Sequence, residues 1–181
     1  PPTATSESTP TAEITGQLPL WAALKATYTA TPIYAATPHK LTEAYQAAMK
    51  AYSRQDWSAA LEYFQQVLYT EPTSADIQYH IGEIYRLQGL LSEAATAYDD
   101  CIRINPAFAP PYLGKGRVLM MSNPPDPVKA QKQFEKAIEL DPRLYEALEE
   151  LAQISLDAGK PEDALATLKK MPADAPLNPR T

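Results

Sequence analysis

A sequence repeat of about 34 residues, visible from Leu41 onward, constrains the fold of this chain more than any other feature. One series of alanines is spaced by 34, 36 and 34 residues, and a ring or a leucine follows each alanine four residues later. A second series of small residues precedes the alanines, and prolines close three of the units. The alanines are Ala60, Ala94, Ala130 and Ala164, followed by Phe64, Tyr98, Phe134 and Leu168. The second series is Ala48, Gly82, Gly116 and Ala152, and the prolines are Pro72, Pro106 and Pro142.

Each unit of the repeat is predicted to be a pair of amphipathic helices. In the first unit, helix A is expected near 41–54 and helix B near 57–70, where Ala60 and Phe64 share one helical face. The alanine has to be small because the paired helices cross closely at that point. Both series lengthen by two residues only in the third unit, which places an insertion in the loop 122–127.

Prolines also predict where the helices end and begin. A residue that precedes proline avoids the helical region, so the three closing prolines mark helix ends. Pro110, Pro127 and Pro161 instead lie where helices are expected to begin, because the first turn tolerates a missing N–H. Asp126, directly before Pro127, is the predicted N-cap of its helix.

The second unit shows the pattern most completely. It reads Gln78-x-x-Ile81-Gly82-x-x-Tyr85, then Ala94-x-x-x-Tyr98, then Pro106. This arrangement resembles the tetratricopeptide repeat (TPR). The resemblance implies an all-α protein, namely a right-handed α-solenoid of four helical hairpins. The repeats are assigned to residues 41–74, 75–108, 109–144 and 145–171.

Two segments flank the predicted repeats. Residues 1–40 form a linker rich in Thr, Pro and Ala, and residues 172–181 form a short tail. Within the linker, the segment 18–36 is apolar and carries rings such as Trp21 and Tyr28, which are costly to leave in water. We therefore expect this segment to pack on the repeats, either in their concave groove or as a cap on the first repeat.

The last repeat is predicted to have an apolar outer flank. Its helix B carries Leu168 and Met171, and the residues after Pro172 are too few and too rich in proline to form a capping helix. Terminal repeats of solenoids normally have a polar outer face. This flank is therefore expected to be partly exposed in a monomer or covered in a homodimer.

The net charge and the composition of the chain limit the kinds of partner and the cellular locations that the sequence supports. The net charge of −6 lies in the repeats, which argues against nucleic acid as a partner because phosphate binding requires a basic surface. No apolar run reaches transmembrane length. Residues 1–15 are almost wholly Pro, Thr, Ala, Ser and Glu, a composition typical of stalks in exported or anchored proteins. We expect an extracytoplasmic or membrane-anchored location, with a tether upstream of Pro1, and a cytoplasmic linker is the alternative.

No catalytic or metal-binding constellation is found in the sequence. The two histidines, His39 and His80, are far apart, and the single cysteine gives no closed zinc site. Cys101 occupies a helix-B position that is apolar in the other repeats, so it is predicted to be a small buried hydrophobe. We expect neither an enzyme nor a cofactor.

The resemblance also implies a binding surface. In this family, positions 2, 5, 6, 9, 12 and 13 of each helix A line the concave groove. Carried onto this chain, these positions give an aromatic and Met-rich floor with two arginines and an acidic end in the fourth repeat. The predicted groove residues are Tyr45, Met49, Tyr52, Tyr79, His80, Arg86, Leu113, Arg117 and Met120.

Together these features predict a non-catalytic scaffold that binds an extended or helical peptide of a protein partner. The Lys, Asn and Arg residues with which TPR co-chaperones grip a C-terminal carboxylate are absent, so that type of clamp is not expected. The matching positions hold Tyr45, Met49, His80, Pro110 and Gly114. Two alternatives stay open: a structural oligomerisation module joined through the uncapped repeat, and a regulatory fragment of a larger enzyme.

Overall fold

The computed structural model describes residues 42–172, and within that range the chain forms eight α-helices and no strand. The predictions for the segment 18–36 and for the tail lie outside the described residues. The helices are α1 Glu43–Ser53, α2 Trp57–Thr70, α3 Ala75–Leu87, α4 Leu91–Ile104, α5 Pro110–Met121, α6 Pro127–Leu140, α7 Tyr145–Asp157 and α8 Pro161–Leu168. The all-α solenoid predicted from the repeat is therefore confirmed.

Helix boundaries follow the capping and proline signals in the sequence. Helices α2, α4 and α6 each end two residues before a closing proline, and α5, α6 and α8 each begin at a proline. Asp126 is the N-cap of α6, as predicted, because its side chain accepts a hydrogen bond from the backbone N–H of Lys129 at 3.0 Å. The insertion in the third repeat forms the largely exposed connection between α5 and α6.

The helices pack as four hairpins stacked in chain order. Helices α1, α3, α5 and α7 are the helices A, and each packs against the helix B that follows it. Each helix B also packs against the next helix A along the chain, and α3 touches α5 directly. The core is therefore continuous along the array and has no single centre.

A ring seated between glycines fixes the stacking of repeats two and three. The Tyr98 ring of α4 is fully buried, and a Cβ added to Gly82 or Gly114 would lie 2.6 or 2.4 Å from its atoms. Gly82 belongs to α3 and Gly114 to α5, so the ring packs against helices of two consecutive repeats. In the third repeat, Phe134 lies equally close to Gly116, with a distance of 2.2 Å to the added Cβ.

The N-terminal flank of the array is polar. In α3, Ile77 and Ile84 are fully buried in a cluster with the first repeat, which shows that positions 3 and 10 of a helix A face the preceding repeat. The same positions of α1 hold Glu43 and Lys50, and both are exposed. The first repeat thus already has the polar outer face that a terminal repeat requires.

The C-terminal flank is apolar, as predicted. Leu168 is 37 % exposed, whereas its counterparts Phe64, Tyr98 and Phe134 in the earlier repeats are 0 % exposed. Those rings are covered by the next helix A. The described part of the chain supplies no such helix after α8.

Ala94 and Ala95 provide a test of the repeat register. Ala94 is fully buried at the helix crossing and Ala95 is partly exposed. We expect Ala94→Leu to lower the free energy of unfolding by roughly 1–3 kcal/mol through overpacking, and Ala95→Leu to lower it by less. Urea melts of both variants measure the difference, and equal losses would show that the register is wrong.

Candidate peptide-binding face

The helix-A face, formed by the exposed sides of α1, α3, α5 and α7, carries the predicted groove residues. At its first end, Tyr45 and Met49 of α1 are half-buried and rest on the core of repeats one and two. The backbone N–H of Tyr45 is held by the N-cap, donating to Oγ1 of Thr42 at 3.3 Å. These two side chains offer apolar surface next to solvent.

Tyr52 and His80 meet at the junction of the first two repeats. The His80 ring stacks on Phe64 with a centroid distance of 5.3 Å and an interplanar angle of 4°. Tyr52 packs edge-on against both of those rings, at 5.4 Å from His80 and 6.4 Å from Phe64. This aromatic cluster joins α1, α2 and α3, so Tyr52 and His80 stabilise the stack as well as line the face.

Tyr79 contributes mainly to the core. Its ring lies 6.2 Å from Tyr98 and 5.8 Å from Phe108, the latter in an edge-on arrangement. Burial, followed by the charge of Glu83, raises the pKa of Tyr79 well above its ordinary value. Its phenol is therefore neutral at physiological pH.

Two further predicted residues belong to the third repeat. Leu113 is 2 % exposed and packs in the cluster built around Phe134. Its side chain is therefore not available to a ligand in this structure. Met120 is partly buried and rests on the same cluster.

Arg86 is held by a buried carboxylate. Its Nη2 donates to Glu83 Oε2 at 2.7 Å and its Nε donates to Glu83 Oε1 at 3.2 Å. The Tyr98 hydroxyl also donates to Glu83. Burial raises the pKa of Glu83, but the hydrogen bonds and charge of Arg86, with the bond from Tyr98, outweigh it and leave the pKa below its ordinary value.

Arg117 links the third and fourth repeats. Its Nη2 donates to Glu146 Oε2 at 2.9 Å, and its Nε donates to Glu150 Oε1 at 3.0 Å. Burial lowers the pKa of Arg117, but the two carboxylates outweigh it and raise the pKa above its ordinary value. Both arginines of the helix-A face are thus already bound to carboxylates of this chain.

The ion pairs of Arg86 with Glu83 and of Arg117 with Glu146 and Glu150 were not predicted from the sequence. The spacing of Glu83 and Arg86, three residues apart on one helix, was a usable signal for the first pair. Arg117 and its carboxylates are separated by 29 and 33 residues, a little less than one repeat. Residues in neighbouring repeats at this offset lie side by side on adjacent helices A.

The helix-A face carries a net negative charge. Its predicted positions hold six carboxylates against two guanidinium groups, which gives a net charge of −4 with histidine neutral. The carboxylates are Asp76, Glu83, Glu146, Glu149, Glu150 and Asp157. Four of the six lie in α7, so the negative charge is concentrated at the end of the face opposite Tyr45.

No metal site is found among the described residues, where no group of three His, Cys, Asp or Glu side chains could hold an ion. Cys101 is buried, as predicted, and its thiol donates to the Ala75 carbonyl at 2.9 Å. Burial, and then the charge of Asp76, raises the pKa of the thiol to about 12. A thiol in this state is a poor nucleophile at neutral pH.

A cleft of about 470 Å³ lies away from the predicted groove, among α6, α7 and α8. Its apolar floor contains Ile138, Leu151 and Ile154, and its rim is mostly polar. The cleft lies between the helices B of the third and fourth repeats, α6 and α8, with α7 contributing to its lining. Of the helices that the structure describes, none combines the length and the apolar character needed to cross a membrane.

Two family models, both described as tetratricopeptide repeat, match residues 45–107 and residues 125–180. Together the matched ranges include more than half of the 181 residues. The chain is a TPR protein. The two matches leave out the stretch 108–124, which contains the start of the insertion.

Solved TPR structures resemble this chain in fold. MamA 41-end from Desulfovibrio magneticus RS-1 is 20% identical, with a TM-score of 0.60 over 70% of this chain and 71% of that one. TTC0263, a thermophilic TPR protein in Thermus thermophilus, is 16% identical, with a TM-score of 0.61 over 70% of each chain. The first TPR of Spaghetti (RPAP3), bound to HSP90 peptide SRMEEVD, is 17% identical, with a TM-score of 0.59 over 64% of this chain and 93% of that one.

No curated protein matches the chain. The TPR fold nevertheless indicates the general role. TPR proteins are generally non-catalytic interaction scaffolds, and their partners are proteins or peptides.

Glu83 provides a test of the buried polar network. Glu83→Gln removes the charge that Arg86 and Tyr98 bind, so we expect the free energy of unfolding at neutral pH to fall by roughly 1.5–3 kcal/mol. The pKa of Glu83 is lower in the folded state, so its contribution is present above about pH 4.5 and is lost as the pH falls through the folded-state pKa.

Urea melts of the parent and of Glu83→Gln at a series of pH values measure this loss. The exposed Glu62→Gln is the matched control and should melt like the parent at each pH. A difference between parent and Glu83→Gln that stays constant down to pH 3 would contradict the assigned network.

Proposed function

We propose that this TPR protein is a non-catalytic scaffold that binds an extended or helical peptide segment of a protein partner on its helix-A face. The observation that carries the proposal is the chemistry of that face: half-buried apolar and aromatic side chains at one end, and excess carboxylates at the other. The TPR fold of the chain supports this role, and one structural neighbour is bound to a peptide.

The apolar end supplies contact area. Tyr45, Met49 and Tyr52 present partly exposed side chains on one helix, and each already rests on a packed core. A side chain that is held in place loses little entropy when a ligand covers it. An aromatic or leucine side chain of the partner fits this end.

The acidic end sets the charge preference. Arg86 and Arg117 are already bound to carboxylates of this chain, so an acidic peptide would have to displace Glu83, Glu146 or Glu150 to reach them. The RPAP3 neighbour carries the peptide SRMEEVD, which is rich in acidic residues. This chain is suited to the opposite class, a peptide with apolar anchors followed by Lys or Arg.

Two synthetic peptides test this preference. They share the same Trp and Leu residues and differ only in carrying lysine or glutamate at the remaining charged positions. We expect fluorescence anisotropy to show binding about tenfold tighter for the lysine peptide, since several exposed charge pairs of up to about 1 kcal/mol each add to this difference. The preference should shrink as salt is added.

Two substitutions locate the binding surface. Tyr45→Ala should weaken binding of the lysine peptide, because it removes contact area from the apolar end. Tyr69→Ala is the matched control, since Tyr69 is 90 % exposed on α2 and lies outside the helix-A positions. Equal affinity for the two peptides, or equal effects of the two substitutions, would contradict the proposed site.

We further propose that the scaffold works in the cell envelope or outside the cell. The support is the composition of residues 1–15, which is typical of stalks in exported or anchored proteins. Protease added to intact cells should degrade a tagged full-length protein if it faces the outside. If it lies within the envelope, the protease should degrade it once the outer envelope is opened and the plasma membrane is still intact. Protection under both conditions, followed by digestion only after the plasma membrane is lysed, would contradict this location.

The oligomerisation alternative is favoured by a separate observation, the exposed apolar residues of the fourth repeat. It concerns a different surface from the helix-A face, and the two roles are compatible.

A further inference from the structure

The cleft among α6, α7 and α8 combines an apolar floor with a mainly acidic rim. Its floor residues Ile138, Leu151 and Ile154 rest on the core cluster built around Phe134. Three carboxylates and one ammonium group among the lining residues give a net charge of −2. The carboxylates belong to Glu135, Glu139 and Asp163, and the ammonium group belongs to Lys170. The cleft volume of about 470 Å³ lies within the range of small-molecule sites, about 300–1,000 Å³.

The polar groups of the rim are arranged to accept hydrogen bonds. The side-chain amide of Gln131 already donates to Glu135 Oε1 at 2.8 Å. The hydroxyls of Ser155 and Thr167 already donate to backbone carbonyls of their own helices, at 3.1 and 3.0 Å. The hydroxyl oxygens and the carboxylates keep further acceptor capacity. A ligand that donates several hydrogen bonds and carries positive charge therefore suits this rim.

The junction between the second and third repeats shows what occupies the corresponding place there. The residues of that junction lie 36 positions earlier in the chain, so Asp99 of α4 corresponds to Glu135, and Lys115 of α5 corresponds to Leu151. The ammonium group of Lys115 forms an ion pair with the carboxylate of Asp99. The side chain of Lys115 is 25 % exposed, so most of its aliphatic stem is covered while its charged end reaches the carboxylate.

The junction between the third and fourth repeats keeps the carboxylate and replaces the lysine. Leu151 has a shorter, uncharged side chain, so the ammonium group that Lys115 supplies at the earlier junction has no counterpart at this position. Glu135 is exposed, and its negative charge lies at the edge of an apolar floor. An ammonium ion on a hydrocarbon chain, entering from solvent, would restore both the ion pair and the cover over the floor.

We propose that this cleft binds a primary aliphatic amine, with the ammonium group at Glu135 and the hydrocarbon chain on the floor. Primary amines have a pKa near that of lysine, about 10.4, so the ligand is cationic at neutral pH. Its three N–H groups match the acceptors of the rim, and its methylene groups gain free energy from burial on the floor. The cleft shares no residue with the predicted groove positions, so this site is additional to the proposed peptide-binding face.

Three probes with the same six-carbon chain and different head groups test the proposal: hexylammonium, hexanol and hexanoate. They are titrated into the full chain, and backbone amide NMR shifts give both the affinity and the place of binding. We expect hexylammonium to bind about threefold tighter than hexanol, because a solvent-accessible ion pair adds a modest free energy. Hexanoate should bind more weakly than hexanol. The largest shifts should fall on the lining residues, and added salt should reduce the preference for hexylammonium.

Two substitutions examine the site from its charged and its apolar side. Glu135→Gln should weaken hexylammonium binding about threefold and leave hexanol binding unchanged. Leu151→Lys should abolish hexylammonium binding, because the new ammonium group can pair with Glu135 as in the preceding junction. Glu62→Gln and Val128→Lys make the same changes of charge at exposed residues outside the cleft and should bind the probes like the parent. Unchanged helical circular dichroism shows that a variant is folded.

The other outcomes contradict the proposal. Equal affinity for hexylammonium and hexanol would show a cleft that binds apolar chains without regard to charge, and tighter binding of hexanoate would show that Lys170 sets the charge preference. Shifts centred on the helix-A face, or no binding of any probe, would show that the cleft is not an amine site. The lysine-peptide titration reports on the helix-A face, so failure of the amine site would leave the proposed function intact.

Discussion

The structure depends on one steric constraint, the packing of a large ring from each of the first three helices B against a small residue of helix A. Tyr98 illustrates it best, because its ring fills the space that Gly82 and Gly114 leave open in two consecutive helices A. A side chain at either glycine would collide with the ring, so the distance between repeats is fixed at this point. The fully buried Phe64 and Phe134 occupy the same position in the neighbouring repeats. Stacking, helix pairing and the orientation of the helix-A face all follow from this spacing.

Features set by local chemistry could be predicted from the sequence. Helix ends at the closing prolines, the N-cap at Asp126, the buried Cys101 and the inserted loop each depend on residues close together in the chain or on the repeat period. The exposed Leu168 also follows from the period, because the next unit is absent from the described residues. Features of this kind can be predicted because each depends on residue type and spacing alone.

The helix-A face could be predicted only in part. Position in a helix does not determine how deeply a side chain is covered by the neighbouring repeat, and for that reason Leu113 and Tyr79 belong mainly to the core. The repeat register places both arginines on this face, but Arg117 binds two carboxylates that lie nearly one repeat further along the chain. Such pairs depend on the relative rotation of adjacent helices, which the sequence period leaves undetermined. These ion pairs matter for function, because they neutralise the positive charge that the arginines would otherwise present to a ligand.

The two ends of the array differ in the helix-B position that holds a ring in the first three repeats. At the first end this residue, Phe64, is fully buried, and at the other end its counterpart, Leu168, is partly exposed. If the seated rings hold the repeats together, protection of the backbone should follow their coverage. Amide hydrogen exchange of dilute, monomeric protein measures this most directly. We expect the slowest exchange in α2, α4 and α6, whose rings are fully buried, and clearly faster exchange in α8. Exchange in α8 as slow as in α4 would contradict this account.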